Sequence, residues 1–344
     1  MTRHLLRTAA VTAAAAGLLL GTAGALPASA HGGHENRGPA VIAGHAPTLV
    51  PEGATWDQDR QRFLVGSLRH GTVSVVRPGG GVRTLIDEPD TLVSVIGLHV
   101  DRARGRVLLA NGDNGLGTRT SAATAGRLAG LGAYDLETGR RLFYADLAAV
   151  AGDGGPHFAN DVAFGPDGTA YVTDSLAPVV YRIATDGTAS VLVRDARLTP
   201  APGGYGLNGI VLRDGRLIIG KWDDGTLWQV PVHRPADLRP IPVTAGPGTG
   251  GPGALLHLDG LLGRPDGSIV GVTNGLAGAG LDASVELRST DGWRTARLTS
   301  VRPSADLLPT AVTPGPGGGV YTLSGRLDLA FAGTPGDTFS LRRI

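Results

Sequence analysis

NDVAFGPDGTAYVTDSLAPVVYRIATDGTASVLV, residues 160–193, opens on a polar pair and passes through a short apolar strand to the turn Pro166-Asp167-Gly168. A second apolar strand follows, then a third around Val179–Ile183, then another Asp-Gly turn at Asp186-Gly187. The same order recurs in EGATWDQDRQRFLVGSLRHGTVSVVRPGGGVRTLI (52–86), NGIVLRDGRLIIGKWDDGTLWQVPV (208–232) and DGLLGRPDGSIVGVTN (259–274). Two less regular units begin near Gly97 and Pro309. Openings near 52, 97, 160, 208, 259 and 310 give spacings of 45, 63, 48, 51 and 51 residues. A four-stranded propeller blade takes roughly 40–50 residues, so the reading is an all-β, six-bladed β-propeller spanning 39–344. The strand before Glu52, from Pro39 to Leu49, is expected to close the ring against the last blade. The long second spacing is an insertion at 111–130, NGDNGLGTRTSAATAGRLAG, expected to lie over the mouth that carries the site. Within it, Ala122–Leu131 has at most a turn or two of helix.

The first thirty residues read as an export signal. Arg3 and Arg7 form a basic start, Ala9–Leu20 an apolar stretch, and Ala28-Ser29-Ala30 a small-residue cleavage pattern. The expectation is a Sec-type leader cleaved near Ala30, a secreted chain, and a disordered polar start at 31–38. With 31 basic and 30 acidic residues the chain has no electrostatic footprint for nucleic acid or an anionic membrane. It contains no cysteine, which excludes disulfides and thiolate metal sites. No signal in the sequence speaks to oligomeric state. Neither a G-x-S-x-G elbow nor an H-E-x-x-H helix occurs, so serine-triad and zincin chemistry lack their motifs.

In a propeller the first strand of each unit lines the channel, and its opening residue stands at one mouth. Those residues are Glu52, Asn160, Asn208 and Asp259 in units one, three, four and five. Two carboxylates and two amide carbonyls make an oxygen-only set suited to a hard divalent cation, Ca²⁺ first, with Mn²⁺, Mg²⁺ and Zn²⁺ left open. Asn-Gly, Asp-Gly and Asn-Asp are also common turn pairs. Unlike the hairpin turns of this chain, however, the four candidates precede strands. His157 stands three residues before Asn160 and is a candidate substrate contact, with a solvated loop histidine as the alternative. His99 reads as structural. Lys221-Trp222-Asp223-Asp224 reads as surface away from the mouth, and Tyr205 as a pocket wall or packing.

The segments PEGATWD (51–57), FANDVAFGPDGTAYVTD (158–174), GLNGI (206–210) and LDGLLGRPDG (258–267) resemble the family of gluconolactonase, senescence marker protein and luciferin-regenerating enzyme. The chain is more distantly similar to the paraoxonases. The resemblance covers blades one to five and is weak in blade six. It implies a metal glutamate at Glu52, an amide ligand at Asn208, and an aspartate at Asp259 that is both ligand and candidate general base. It also implies a metal or substrate role for Asn160, and for Asp161 a place beside a second, structural calcium. Two features depart from the family: no counterpart of the substrate-facing arginine of sugar-acid lactonases is evident near blade two, and the position of the paraoxonases' histidine is apolar, near Ile96. The expected function is a metal-dependent hydrolase of a small-molecule lactone or related ester. The other class is a non-catalytic exported propeller that binds a ligand or protein partner, with a structural calcium ion. Aromatics at 5% of residues disfavour a broad protein-binding face.

Overall fold

Short apolar runs separated by Asp-Gly turns fold as antiparallel strands joined by tight hairpins. In blade 3, Ala159–Phe164, Ala170–Asp174, Val179–Ile183 and Ala189–Arg194 pair in chain order. The first hairpin is set by Asp167, whose carboxylate accepts from the backbone N–H and the hydroxyl of Thr169. Gly168 supplies the positive φ of 83° that the turn requires.

The computed structural model describes residues 38–344; the expected leader (1–30) and residues 31–37 of the polar start lie outside the described residues. Its strands form six separate antiparallel-based sheets, the six-bladed propeller expected from the repeat. The first strands are Pro51–Asp57, Ser94–Asp101, Ala159–Phe164, Leu207–Arg213, Leu258–Gly263 and Pro309–Pro314. Val41–His45 pairs antiparallel with Thr338–Arg343, so the outermost strand of blade 6 comes from the start of the chain and the ring is closed by hydrogen bonds. Blade 4 ends on the short strand Arg239–Ile241, and the chain then lays Val243–Ala245 parallel to Ala296–Pro303 as a fifth strand on blade 5.

Apolar clusters fill the interfaces between adjacent blades, as with Leu108, Leu131, Val172 and Tyr181 between blades 2 and 3. Each such side chain contributes about 1.5–3 kcal/mol by leaving water. A further cluster joins residues of all six blades at one end of the ring, including Val50, Ile96, Phe158 and Leu308.

Second strands run antiparallel to first strands, so each ends on the face where its first strand begins. The pairs Pro51–Ser67, Ser94–Gly112, Ala159–Asp174 and Leu207–Lys221 show this. The connections after the second strands therefore share a face with the opening residues. The blade-2 insertion is one of them. Its strands reach Gly112 and resume at Ala129, so the irregular part is shorter than 111–130. No helix forms at Ala122–Leu131: turns run over 122–127 and the strand resumes at Ala129, and the insertion is held by the buried Asp113 carboxylate accepting from Thr120, Thr124 and the Gly115 N–H.

Candidate metal centre at the channel mouth

The first strand of every blade carries a β-bulge or register irregularity at the same place: Pro51/Gly53, Val95/Leu98, Ala159/Val162, Leu207/Ile210, Leu258/Leu261 and Pro309/Ala311. Bulges re-aim side chains out of the regular pleat. The first residue inside each is Glu52, Ile96, Asn160, Asn208, Asp259 and Thr310 in turn. Small residues follow most of them because the strands crowd at the axis. A Cβ on Gly209 would stand 2.3 Å from the carbonyl oxygen of Asp259, and one on Gly97 would stand 2.4 Å from a carboxylate oxygen of Asp161.

Glu52, Asn160, Asp161, Asn208, Asp259 and Thr310 line one cavity, which continues down the channel past Ala54, His99 and Val312. The four proposed ligands thus share a single cavity, with Asp161 beside them. Asn160, Asp161, Asn208 and Asp259 are each 6% exposed. Among the described residues, no lysine or arginine lines this cavity. Burial raises the Glu52 carboxyl well above the ordinary carboxylate range, and the charges of Asp259 and Asp161 push it further. Burial also lifts Asp259 to about 8, against hydrogen bonds donated by Asn274 and Asn208, with Asp161 adding to the rise. Like charges gathered in a low-dielectric channel cannot all ionise without a counter-charge.

The donors fit a hard cation. The oxygens are hard, the carboxylates are short of positive charge, and Asn208 can present an oxygen to an ion as readily as a nitrogen to Asp259. Among the described residues, no three His, Asp or Glu side chains form a metal cage by themselves. The set depends on the amide oxygens of Asn160 and Asn208.

Several neighbours were missed or misread at the level of sequence. Asn274, at the end of blade 5's second strand, donates from Nδ2 to Asp259 Oδ2 at 2.7 Å. Thr310 occupies the blade-6 position and donates to the Glu52 carbonyl at 2.6 Å across the ring closure; its fixed offset from the blade opening was the available signal. Asp161 accepts from the backbone N–H of Val162 and Ile210. His99, read as structural, lines the cavity and bonds Asp161 through Nε2 at 3.2 Å.

His157 is not among the residues lining this cavity. It is not solvated: it is 1% exposed, between Asp174 at 2.7 Å and Asp153 at 2.9 Å. Asp174 raises its pKa, with burial opposing and Asp153 assisting. Asp174 also accepts from Tyr181 and from the N–H groups of Phe158, Leu176 and Ala177, so this network fixes the loop that leads into Asn160.

The Lys221 segment corrects the reading that placed it away from the mouth. The antiparallel second strand returns it to the site face. There Lys221 is 5% exposed and paired with Asp223 and Asp224, and Trp222 stacks on His257 with ring centroids 3.8 Å apart.

No protein-family model matches the sequence, and no curated protein matches it. Solved structures do. The major Malassezia sympodialis allergen Mala s 1 superposes with a TM-score of 0.67 at 18% identity, covering 89% of this chain and 96% of the allergen. A putative gluconolactonase superposes at 0.57 with 17% identity, covering 90% and 94%. A calcium-binding protein, regucalcin, from Agrobacterium tumefaciens superposes at 0.57 with 17% identity, covering 88% and 94%. In fold, this chain is a six-bladed propeller similar to the gluconolactonase and regucalcin structures.

Proposed function

We propose that the chain hydrolyses a lactone or related ester at the channel mouth, with a divalent cation, Ca²⁺ first, held by Glu52, Asn160, Asn208 and Asp259. One observation carries this reading: carboxylates and amides from blades 1, 3, 4 and 5 gather in one cavity that, among the described residues, no lysine or arginine lines. The gluconolactonase and regucalcin folds support it at the level of architecture, and fold alone does not fix function.

When bound, the cation supplies Lewis-acid polarisation of the ester carbonyl and offsets the charge on its oxygen. The chain's residues do the rest. The Asn274 amide holds Oδ2 of Asp259 and so fixes the plane of the carboxylate. Asp259 takes a proton from water as the water oxygen bonds to the acyl carbon. The acyl C–O bond then breaks, and that proton passes to the departing alkoxide, giving a hydroxy acid from a lactone. Burial of Asn160, Asn208 and Asp259 lowers the local dielectric, which strengthens each of these electrostatic contacts.

The test uses the whole chain, stripped with EDTA and assayed on aliphatic lactones and aryl esters before and after calcium is restored. Hydrolysis that appears with calcium and vanishes with chelator is the expected result. Tight calcium binding with no turnover on any ester or lactone would contradict it and leave a binding propeller with a structural ion.

A further inference from the structure

Successive side chains of a strand point to opposite faces of its sheet, so each blade shows one face to each neighbour. In blade 6, Tyr321, Leu323, Phe339 and Leu341 pack toward blade 1 in a large apolar cluster. The residues that alternate with them, Thr322, Ser340 and Arg342, therefore face blade 5. In blade 5, Val285 and Leu287 pack toward blade 4, which leaves Ser284 and its cross-strand partner Arg302 facing blade 6. Between these two faces the buried apolar cluster shrinks to Val270, Val272 and Val312. The other blade interfaces are filled by far larger clusters.

A crevice takes the place of that missing core. Ser284 pairs with Arg302 on blade 5, and Thr322 pairs with Arg342 on blade 6. All four line the crevice, so a hydroxyl and an arginine stand on each wall. Both hydroxyl residues are buried. Arg343 lines it as well and, among the described residues, no aspartate or glutamate side chain does. The acids of this interface are committed elsewhere. Asp306 accepts from Nε and Nη2 of Arg342 and from Ser340, and Glu286 accepts from Arg264 and Arg288. Among the described residues, neither the Arg302 guanidinium nor the Ser284 hydroxyl has a partner. A guanidinium presents its donors as a planar fork that matches two oxygens of a carboxylate or phosphate at once.

We infer that the crevice between blades 5 and 6 binds a compact oxyanion, the phosphate or carboxylate group of a small solute, between the guanidinium groups of Arg302 and Arg342 with the Ser284 hydroxyl donating to it. The crevice shares no lining residue with the channel cavity, so the inference stands apart from the hydrolase reading. A bound oxyanion offsets the arginine charges and ties together two walls that otherwise meet through three valines.

The experiment titrates the calcium-loaded full chain calorimetrically with sulfate, the tetrahedral dianion closest to a phosphate group, and with acetate, at ionic strength held constant with chloride. The expected result is saturable binding of one oxyanion per chain. Tighter binding of sulfate would assign the crevice to a phosphate group, and tighter binding of acetate to a carboxylate. R302A alters an exposed residue outside the channel. It should weaken binding about 10–100-fold, the range for lost charge-assisted hydrogen bonds, with calcium affinity unchanged. S284A should weaken it about 2–10-fold, as for one neutral hydrogen bond. The same oxyanion should raise the melting temperature of the wild-type chain more than that of R302A, and the melts also show that both variants fold. Absence of saturable binding of either anion, or equal affinity in wild type and R302A, would overturn the inference. So would binding that R302A keeps and calcium removal abolishes, which would place the anion at the channel cation.

Discussion

Replacing Asp259 by asparagine is expected to lower turnover about 10²–10⁴-fold, the range for a missing general base, and added calcium is expected not to restore it. The substitution keeps the size and one oxygen ligand but removes a buried charge and the proton acceptor. Calcium affinity should weaken as well, because Glu52 and Asp259 are the carboxylates of the proposed ligand set. Glu52→Gln supplies the contrast. It removes one charge from the same cavity but no proton acceptor, so its loss should be largely recovered at high calcium. Steady-state rates across a calcium series separate the two cases. Equal rescue of both variants would show that Asp259 is a ligand and nothing more.

The second large effect is on stability. Glu52 and Asp259 have folded pKa values raised above those of the unfolded chain, Asp259 to about 8. A carboxyl of this kind contributes stability that is complete below the unfolded value near 4 and is lost as pH rises through the folded value. The chelated protein should therefore melt at progressively lower temperature from about pH 5 to pH 8. One pKa unit is worth about 1.4 kcal/mol, so the cumulative loss is on the order of several kcal/mol. His157, whose pKa is also raised, loses its contribution in the same direction as it deprotonates. Asp259→Asn isolates the carboxyl part, because it should reduce the slope without touching the His157 network. Calcium should remove most of the slope as well, since a counter-charge lets the carboxylates ionise. A melting temperature independent of pH between 5 and 8 in EDTA, or an equal slope with calcium present, would contradict the electrostatics described here.

The blade count and ring closure were legible because a propeller repeats its turn chemistry at a fixed offset. Pro166-Asp167-Gly168 and Pro265-Asp266-Gly267 mark the same hairpin in two blades, and in both the aspartate caps the turn. The opening residues were legible for the same reason. What the repeat did not convey was the surroundings of single side chains. His157 looked like a loop histidine because its partners Asp153 and Asp174 carry no local pattern; one precedes the strand and the other ends the next strand. Lys221 was misplaced because the direction of the second strand, not its composition, decides which face it reaches. The apolar cluster at the mouth was invisible for a related reason. Leu116, Leu176 and Leu276 are isolated leucines in turn-rich loops, and they pack against one cluster only when the blades are arranged in a ring.

The account stands most directly on where a cation sits. A crystal of the full chain grown with calcium should show one ion in the channel, with oxygens of Glu52, Asn160, Asn208 and Asp259 each at about 2.3–2.6 Å. The Asn208 amide should be turned so that its oxygen, not its nitrogen, faces the site. Calcium found elsewhere, with Asn208 still donating to Asp259 and the carboxyls of Glu52 and Asp259 sharing protons, would contradict it.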